Sequence, residues 1–355
     1  MHSLQRFREA VVSGGIEEAG YKQISDRVQD NNRRAVLIFS VIAVVAFLAL
    51  LVTSFFVASL SDYSVVYAAG LAISAVVWSL AYFAGGRNQT VMLLDVYLFA
   101  ALLLSVGILL GTVMSPGEIA ATYIALMLAL PQVFTDRPWR MALLIVLSVV
   151  VFIGMTLRFK DPATRSSDIT NAVVFGCVSL VLCTVSMTNR IRRFYLEYQI
   201  RYLAENDQLT GLKNRYSYQM YLDSSAVLKS RSIYCIYVDV NGLHELNNTQ
   251  GHEAGDKMLQ YIASVMQHQF GKEGTYRIGG DEFVALGIDM SLEEIREKVS
   301  AMKQAVESAG YHIAAGVCLR EKTGIEFDSI IKDAEKEMYS DKAEYYRQTG
   351  KDRRR

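Results

Sequence analysis

The run Arg277-Ile278-Gly279-Gly280-Asp281-Glu282-Phe283 joins two short stretches, residues 274–278 and 282–288. Both are rich in apolar, β-branched and aromatic residues, and the spacing predicts two strands closed by a tight turn at the paired glycines. Glycine supplies positive φ and removes side chains, so that strand backbone and a ligand can approach closely. Two acids follow in succession, and their charges repel unless a cation lies between them and another anion. As a bare hairpin the run would be unremarkable.

Working outward, residues 232–240 read as an apolar strand that ends in a carboxylate, Asp239. Asn214 suits the N-cap of a helix reaching residue 229, and further helices are expected at 255–270, 291–309 and 327–348, with a strand at 311–319. This order implies an α+β domain, an antiparallel sheet with helices packed on one face. Asp239 then has two readings. It caps the helix about to start, or it pairs with Asp281 on the neighbouring strand to form an oxygen site fit for Mg²⁺. Such sites activate a hydroxyl and neutralise a leaving pyrophosphate.

Four separated motifs, DQLTGLKNR at 207–215, DVNGLHELNNTQGHEAGD at 239–256, RIGGDEF at 277–283 and DAEKEMYSDK at 333–342, resemble the GGDEF family of diguanylate cyclases in order and spacing. The resemblance implies a nucleotidyl-cyclase or polymerase-palm-like sheet and synthesis of cyclic di-GMP from two GTP by a homodimer. It further implies two Mg²⁺ per GTP site, with Mn²⁺ as a substitute, held by Asp239, the Val240 carbonyl and Asp281. Asp281 would also accept the 3′-hydroxyl proton, with Glu282 as a further acid. Asn247 and Asp256 would pair with the guanine edge, a donor edge whose loss leaves buried polar atoms unpaired and so favours guanine over adenine. His252 would lie beside the nucleotide or pack at the turn around Gly251, and Lys342 would bind phosphate. Backbone amides of residues 241–244 are expected to face the phosphates at a helix start.

Three departures stand out. His244 occupies the place of a lysine that stabilises transferring phosphates, which makes the charge there depend on pH. Tyr346 stands where the family has an arginine, with Arg347 adjacent. Phe270 and Glu273 replace the two ends of the inhibitory RxxD motif, so feedback inhibition through that site is not expected.

The amino-terminal half is of another kind. Residues 35–188 hold 12 of the chain's 72 charged residues, which no water-soluble domain of that size would show. Six apolar stretches follow one another at 36–60, 65–84, 91–114, 119–134, 141–157 and 169–188. About 20 apolar residues cross the hydrocarbon, so the shorter fourth and fifth are either spans or a re-entrant pair. The organisation expected is a cytoplasmic segment at 1–34, a six-helix transmembrane domain at 35–188, a linker helix at 189–206 and the GGDEF domain at 207–355. Short flanking segments carry Arg6, Arg8, Lys22, Arg27, Arg33, Arg34, Arg87, Arg137, Arg140, Arg190, Arg192 and Arg193 on one side, against Arg158, Lys160 and Arg165 on the other. The positive-inside rule puts the N-terminus and the GGDEF domain in the cytoplasm, in the inner or plasma membrane. The first 34 residues do not read as a cleavable signal peptide. Asp95, inside the third span, is either a ligand or proton site or a carboxyl near the span's end.

Residues 189–205 carry a stripe of Ile191, Phe194 or Tyr195, Tyr198 and Tyr202 at helical spacing. It reads as a short parallel coiled coil between protomers or as an interfacial helix. Net charge is zero, so nothing points to nucleic acid. The four cysteines, scattered without metal-ligand spacing, read as reduced packing residues. Two rival functions remain beside the cyclase: a catalytically silent GGDEF module that binds nucleotide or a partner, and a transporter with a soluble appendage. The stimulus, whether membrane-borne or a small molecule, is not legible in the spans.

Overall fold

The computed structural model describes residues 12, 14–84, 88–222, 232–321 and 327–349, and the chain divides into two compact units, Met1–Tyr198 and Gln199–Arg355. Arg6, Arg8 and Arg87, used above for orientation, lie outside the described residues.

The first unit is helical. Its elements are α1 (Glu18–Ser54), α2 (Ser64–Phe83), α3 (Gln89–Leu109, continued by a π-turn at Leu110–Met114), α4 (Ala121–Val133), α5 (Pro138–Phe159) and α6 (Pro162–Glu205). All but α4 are long and apolar enough to cross a membrane. The fifth apolar stretch is therefore longer than its sequence limits, at 22 residues, while the fourth stays short at 13 and contains Pro131. On α1 the buried positions Val28, Asn32, Val36, Ser40, Ala43 and Phe47 recur every three or four residues. The opposite side exposes Ile38, Val41, Ile42, Val45 and Leu48. One face packed on protein and an apolar face left outward is the pattern that a helix in lipid requires, because only an apolar surround makes such exposure favourable.

Two features differ from expectation. The stripe on residues 191–198 packs within the chain: Ile191, Phe194, Tyr195 and Tyr198 join Ile16, Tyr21, Ile24 and Val28 in one apolar cluster. Arg27 pairs with Glu197 at 2.5 Å beside it. The 169–188 span and the 189–205 stretch are moreover one uninterrupted helix, α6. Asp95 is 1% exposed and neither of its carboxylate oxygens has a hydrogen-bond partner.

The second unit holds β1 (Lys213–Asn214), α7 (Arg215–Leu222), β2 (Ser232–Asn241), α8 (Leu243–Gln250), α9 (His252–Phe270), β3 (Thr275–Arg277), β4 (Glu282–Ile288), α10 (Leu292–Ser308), β5 (His312–Glu321) and α11 (Phe327–Thr349). Asn214 does cap α7, accepting from the Ser217 amide at 3.0 Å; the expected extension to residue 229 lies outside the described residues. The five strands are ordered β1-β3-β4-β2-β5. Two corrections follow. The sheet is mixed, because the short edge strand β1 runs parallel to β3 while the other pairs are antiparallel. Helices also cover both faces instead of one: Tyr234, Ile236, Val238 and Val240 face α9 and α10, and Ile233, Cys235 and Tyr237 face α7 and α11. The cause is in β2 itself, whose run of apolar residues lacks a polar alternation and must be buried on both sides.

Candidate active site

The β2–β4 ladder brings Asp239 and the glycine turn together. Antiparallel register sets Asp239 opposite Glu282, and the Val240 amide donates to the Asp281 carbonyl at 3.0 Å. The Tyr237 hydroxyl, two residues back on the same face of β2, is hydrogen-bonded to Glu282. Like charges directly opposite one another oppose pairing, so this end of the sheet needs compensation. One source is α11: Lys342 donates to Asp239 Oδ1 at 2.5 Å, and Asp239 is only 6% exposed. Asp239 does not cap α8; the residue at that position is Gly242, in a left-handed conformation with φ of 76°.

Burial pushes the Asp239 carboxyl above the ordinary carboxylate value; Lys342 pulls it back, and the Asp281 and Glu282 charges push it further up. A single lysine against three acids leaves the cluster short of positive charge. Hard oxygen donors under that imbalance fit Mg²⁺, which takes one or two carboxylates together with substrate phosphates. Among the described residues no three His, Cys, Asp or Glu side chains form a ready-made metal cage, and a cation shared with phosphates does not require one.

The turn is braced from behind. Arg277 donates to the Gly280 carbonyl at 2.7 Å and to Asp207 Oδ1 at 2.9 Å. Burial pulls the Asp207 carboxyl upward, but hydrogen bonds from Thr210 and Arg277 outweigh it and hold the group below the ordinary carboxylate value. A Cβ at Gly279 would stand 2.5 Å from Glu282 Oε2, so any side chain there would push the Glu282 carboxylate aside.

The remaining candidates sit on the α8–α9 hairpin. Asn247 presents a buried Oδ1 with no partner, and that atom lies against the Cα of Gly255, where any side chain would collide with it. An acceptor so placed suits a ligand's donor edge. Asp256 and His252 are exposed on the first turns of α9, so His252 is not packed into the domain. His244 is exposed on α8, its Nδ1 3.1 Å from Asn248 Nδ2. Tyr346 stands edge-on to Tyr345, and Arg347 is engaged by Glu344 on an exposed face. Glu273 pairs with Lys213 at 3.5 Å. Sequence reasoning missed Gly255, the buried side chain of Asn241 and the bracing role of Arg277; a polar residue closing a buried, mostly apolar strand was the available signal for Asn241.

Residues 204–348 match the family model described as "Diguanylate cyclase, GGDEF domain". This stretch is a GGDEF domain. Over 150 residues the chain is 31% identical to the cyclic di-GMP phosphodiesterase PdeB of Shewanella oneidensis, covering 39% of this chain and 17% of that one. It is 22% identical over 172 residues to an uncharacterized membrane protein, SSP1970, of Staphylococcus saprophyticus, covering 47% and 48% respectively. The chain thus spans less than two thirds of either relative. Among solved structures, the coiled coil and GGDEF domain of DgcB from Caulobacter crescentus, in complex with c-di-GMP, is 22% identical with a TM-score of 0.42, covering 47% of this chain and 95% of that one. In this chain the GGDEF domain follows an amino-terminal region of several apolar helices.

Proposed function

We propose that the GGDEF domain is a diguanylate cyclase that works as a homodimer and is held at the inner or plasma membrane by its apolar helices, with both flanks cytoplasmic. The observation that carries this reading is the meeting of buried Asp239 with the Gly279–Glu282 turn under one lysine. Asp239, the Val240 carbonyl and Asp281 would hold two Mg²⁺ per GTP, or Mn²⁺ in their place. When bound, the ions polarise the 3′-hydroxyl and neutralise departing pyrophosphate. Asn247 and Asp256 read the guanine edge, His252 borders the nucleotide, and Lys342 shifts between Asp239 and phosphate oxygen. Asp281 accepts the 3′-hydroxyl proton, and Glu282 keeps a second carboxylate beside it. Each 3′-oxygen forms a bond to the α-phosphorus of the facing GTP as the bond to the bridging pyrophosphate oxygen breaks. Two GTP yield one cyclic di-GMP and two pyrophosphates. His244, standing where a lysine would stabilise the transferring phosphates, slows this transfer or tunes it differently.

The test uses the full chain in lipid nanodiscs with GTP and Mg²⁺. Cyclic di-GMP and pyrophosphate appear together at 1:2, and Asp281→Ala lowers the rate by about 10²-fold or more while leaving the unfolding temperature near that of the parent. Nucleotide binding without product at any pH would instead favour a silent receptor module.

A further inference from the structure

Behind the α8–α9 hairpin, on the side away from Asn247 and Asp256, lies a cleft of about 590 Å³. Among its lining residues is Asn241, the last residue of β2, 3% exposed, with neither Oδ1 nor Nδ2 bonded to anything. A buried carboxamide left in this way destabilises the fold, and an apolar residue of the same shape would remove that penalty. Retaining it makes sense where a ligand supplies the missing partners. The register of β2 against β5 sets His312 directly across from Asn241, and His312 lies against the Tyr345 ring with centroids 5.1 Å apart. Both rings, and Tyr311 next to His312, border the cleft.

We propose that this cleft binds a planar nitrogen heterocycle, of the nucleobase class and carried as an uncharged nucleoside. A carboxamide offers one acceptor and one donor side by side, the complement of a base edge that presents a donor beside an acceptor. Aromatic rings beside it provide the flat surface on which a base stacks. The charge around the cleft excludes a phosphorylated ligand. Among the described residues lining it, Lys257 is the sole lysine or arginine, and it donates to Glu253 at 2.8 Å, while Glu245 adds a further negative charge. Because Asn241 follows Val240 directly, an occupant would press on the segment that presents Asp239. The site itself stands whether or not the domain turns over GTP.

The experiment is ligand-observed NMR on the full chain in nanodiscs, titrated with adenosine, cytidine, guanosine and uridine. At least one binds saturably, and Asn241→Leu weakens that binding by about tenfold or more, the loss expected when a base edge finds no partner. The unliganded Asn241→Leu protein melts no lower than the parent. Asn247→Ala/Asp256→Ala retains nucleoside binding, which separates this cleft from the guanine pocket. Absence of saturable binding by all four nucleosides would overturn the proposal. So would binding unchanged in Asn241→Leu, binding abolished in the Asn247/Asp256 variant, or a lowered melting temperature in Asn241→Leu, which would mean that the amide is already partnered.

Discussion

Gly255 has no chemistry of its own, yet it sets where Asn247 stands. A methyl group at 255 would meet the Asn247 carboxamide and come within 3.0 Å of Leu243 Cδ1, so Gly255→Ala must displace the Asn247 side chain and crowd Leu243. Such overpacking costs about 1–3 kcal/mol. The corresponding kinetic expectation is a KM for GTP raised by about tenfold or more with a smaller change in kcat, because the displaced group binds ground state and transition state alike. Asp207 gives a second prediction at this scale. Its carboxyl sits below the ordinary value in the folded domain, so its contribution is fully present above the unfolded value of about 3.9 and is lost as pH falls through the folded value. Asp207→Asn should therefore destabilise the chain at pH 7 by about 1 kcal/mol, and the gap between variant and parent should close in denaturant melts run toward pH 3. The residue types at both positions were legible as parts of motifs. Their physical roles were not, since the partners of Gly255 and Asp207 come from other elements.

At the scale of elements, β2 shows both the reach and the limit of the sequence. Its apolar run marked a strand ending at a carboxylate, and the strand indeed covers Ser232–Asn241. The same run, free of polar alternation, also carried the information that both faces are covered; the expectation of helices on one face overlooked it. The 191–198 stripe was visible as spacing, but spacing does not name a partner. That partner is the amino-terminal part of α1 in the same chain, so this face of α6 is covered within the protomer. A second inter-element link is the ion pair between Lys160 and Asp168 at 2.7 Å, both side chains fully buried. Lys160 also donates to the Glu118 carbonyl and, at 3.3 Å, to that of Ser115, and Asp168 accepts from the Ala120 amide at 3.1 Å. The pair clamps the turn before α4 onto the start of α6. Lys160→Met leaves a buried carboxylate without its counter-ion and should cost about 3–5 kcal/mol, measurable as an earlier unfolding transition of the first unit in nanodiscs.

Across the whole molecule, division into apolar helices and an α+β domain was readable from where charges are absent, and the glycine turn from its own seven residues. The contact that completes the site was not. Lys342 and Asp239 are 103 positions apart, and no local pattern connects them; only resemblance to a family placed the lysine near phosphate. Cyclase activity requires the acids of β2 and the glycine turn to capture a divalent cation together with a triphosphate. Electron paramagnetic resonance of Mn²⁺, with the full chain in nanodiscs and a non-hydrolysable GTP analogue, tests this directly. Expected is a protein-bound Mn²⁺ signal that requires the nucleotide, and that disappears in Asp239→Asn/Asp281→Asn while the protein stays folded. A Mn²⁺–nucleotide spectrum unaltered by the folded parent protein would contradict it.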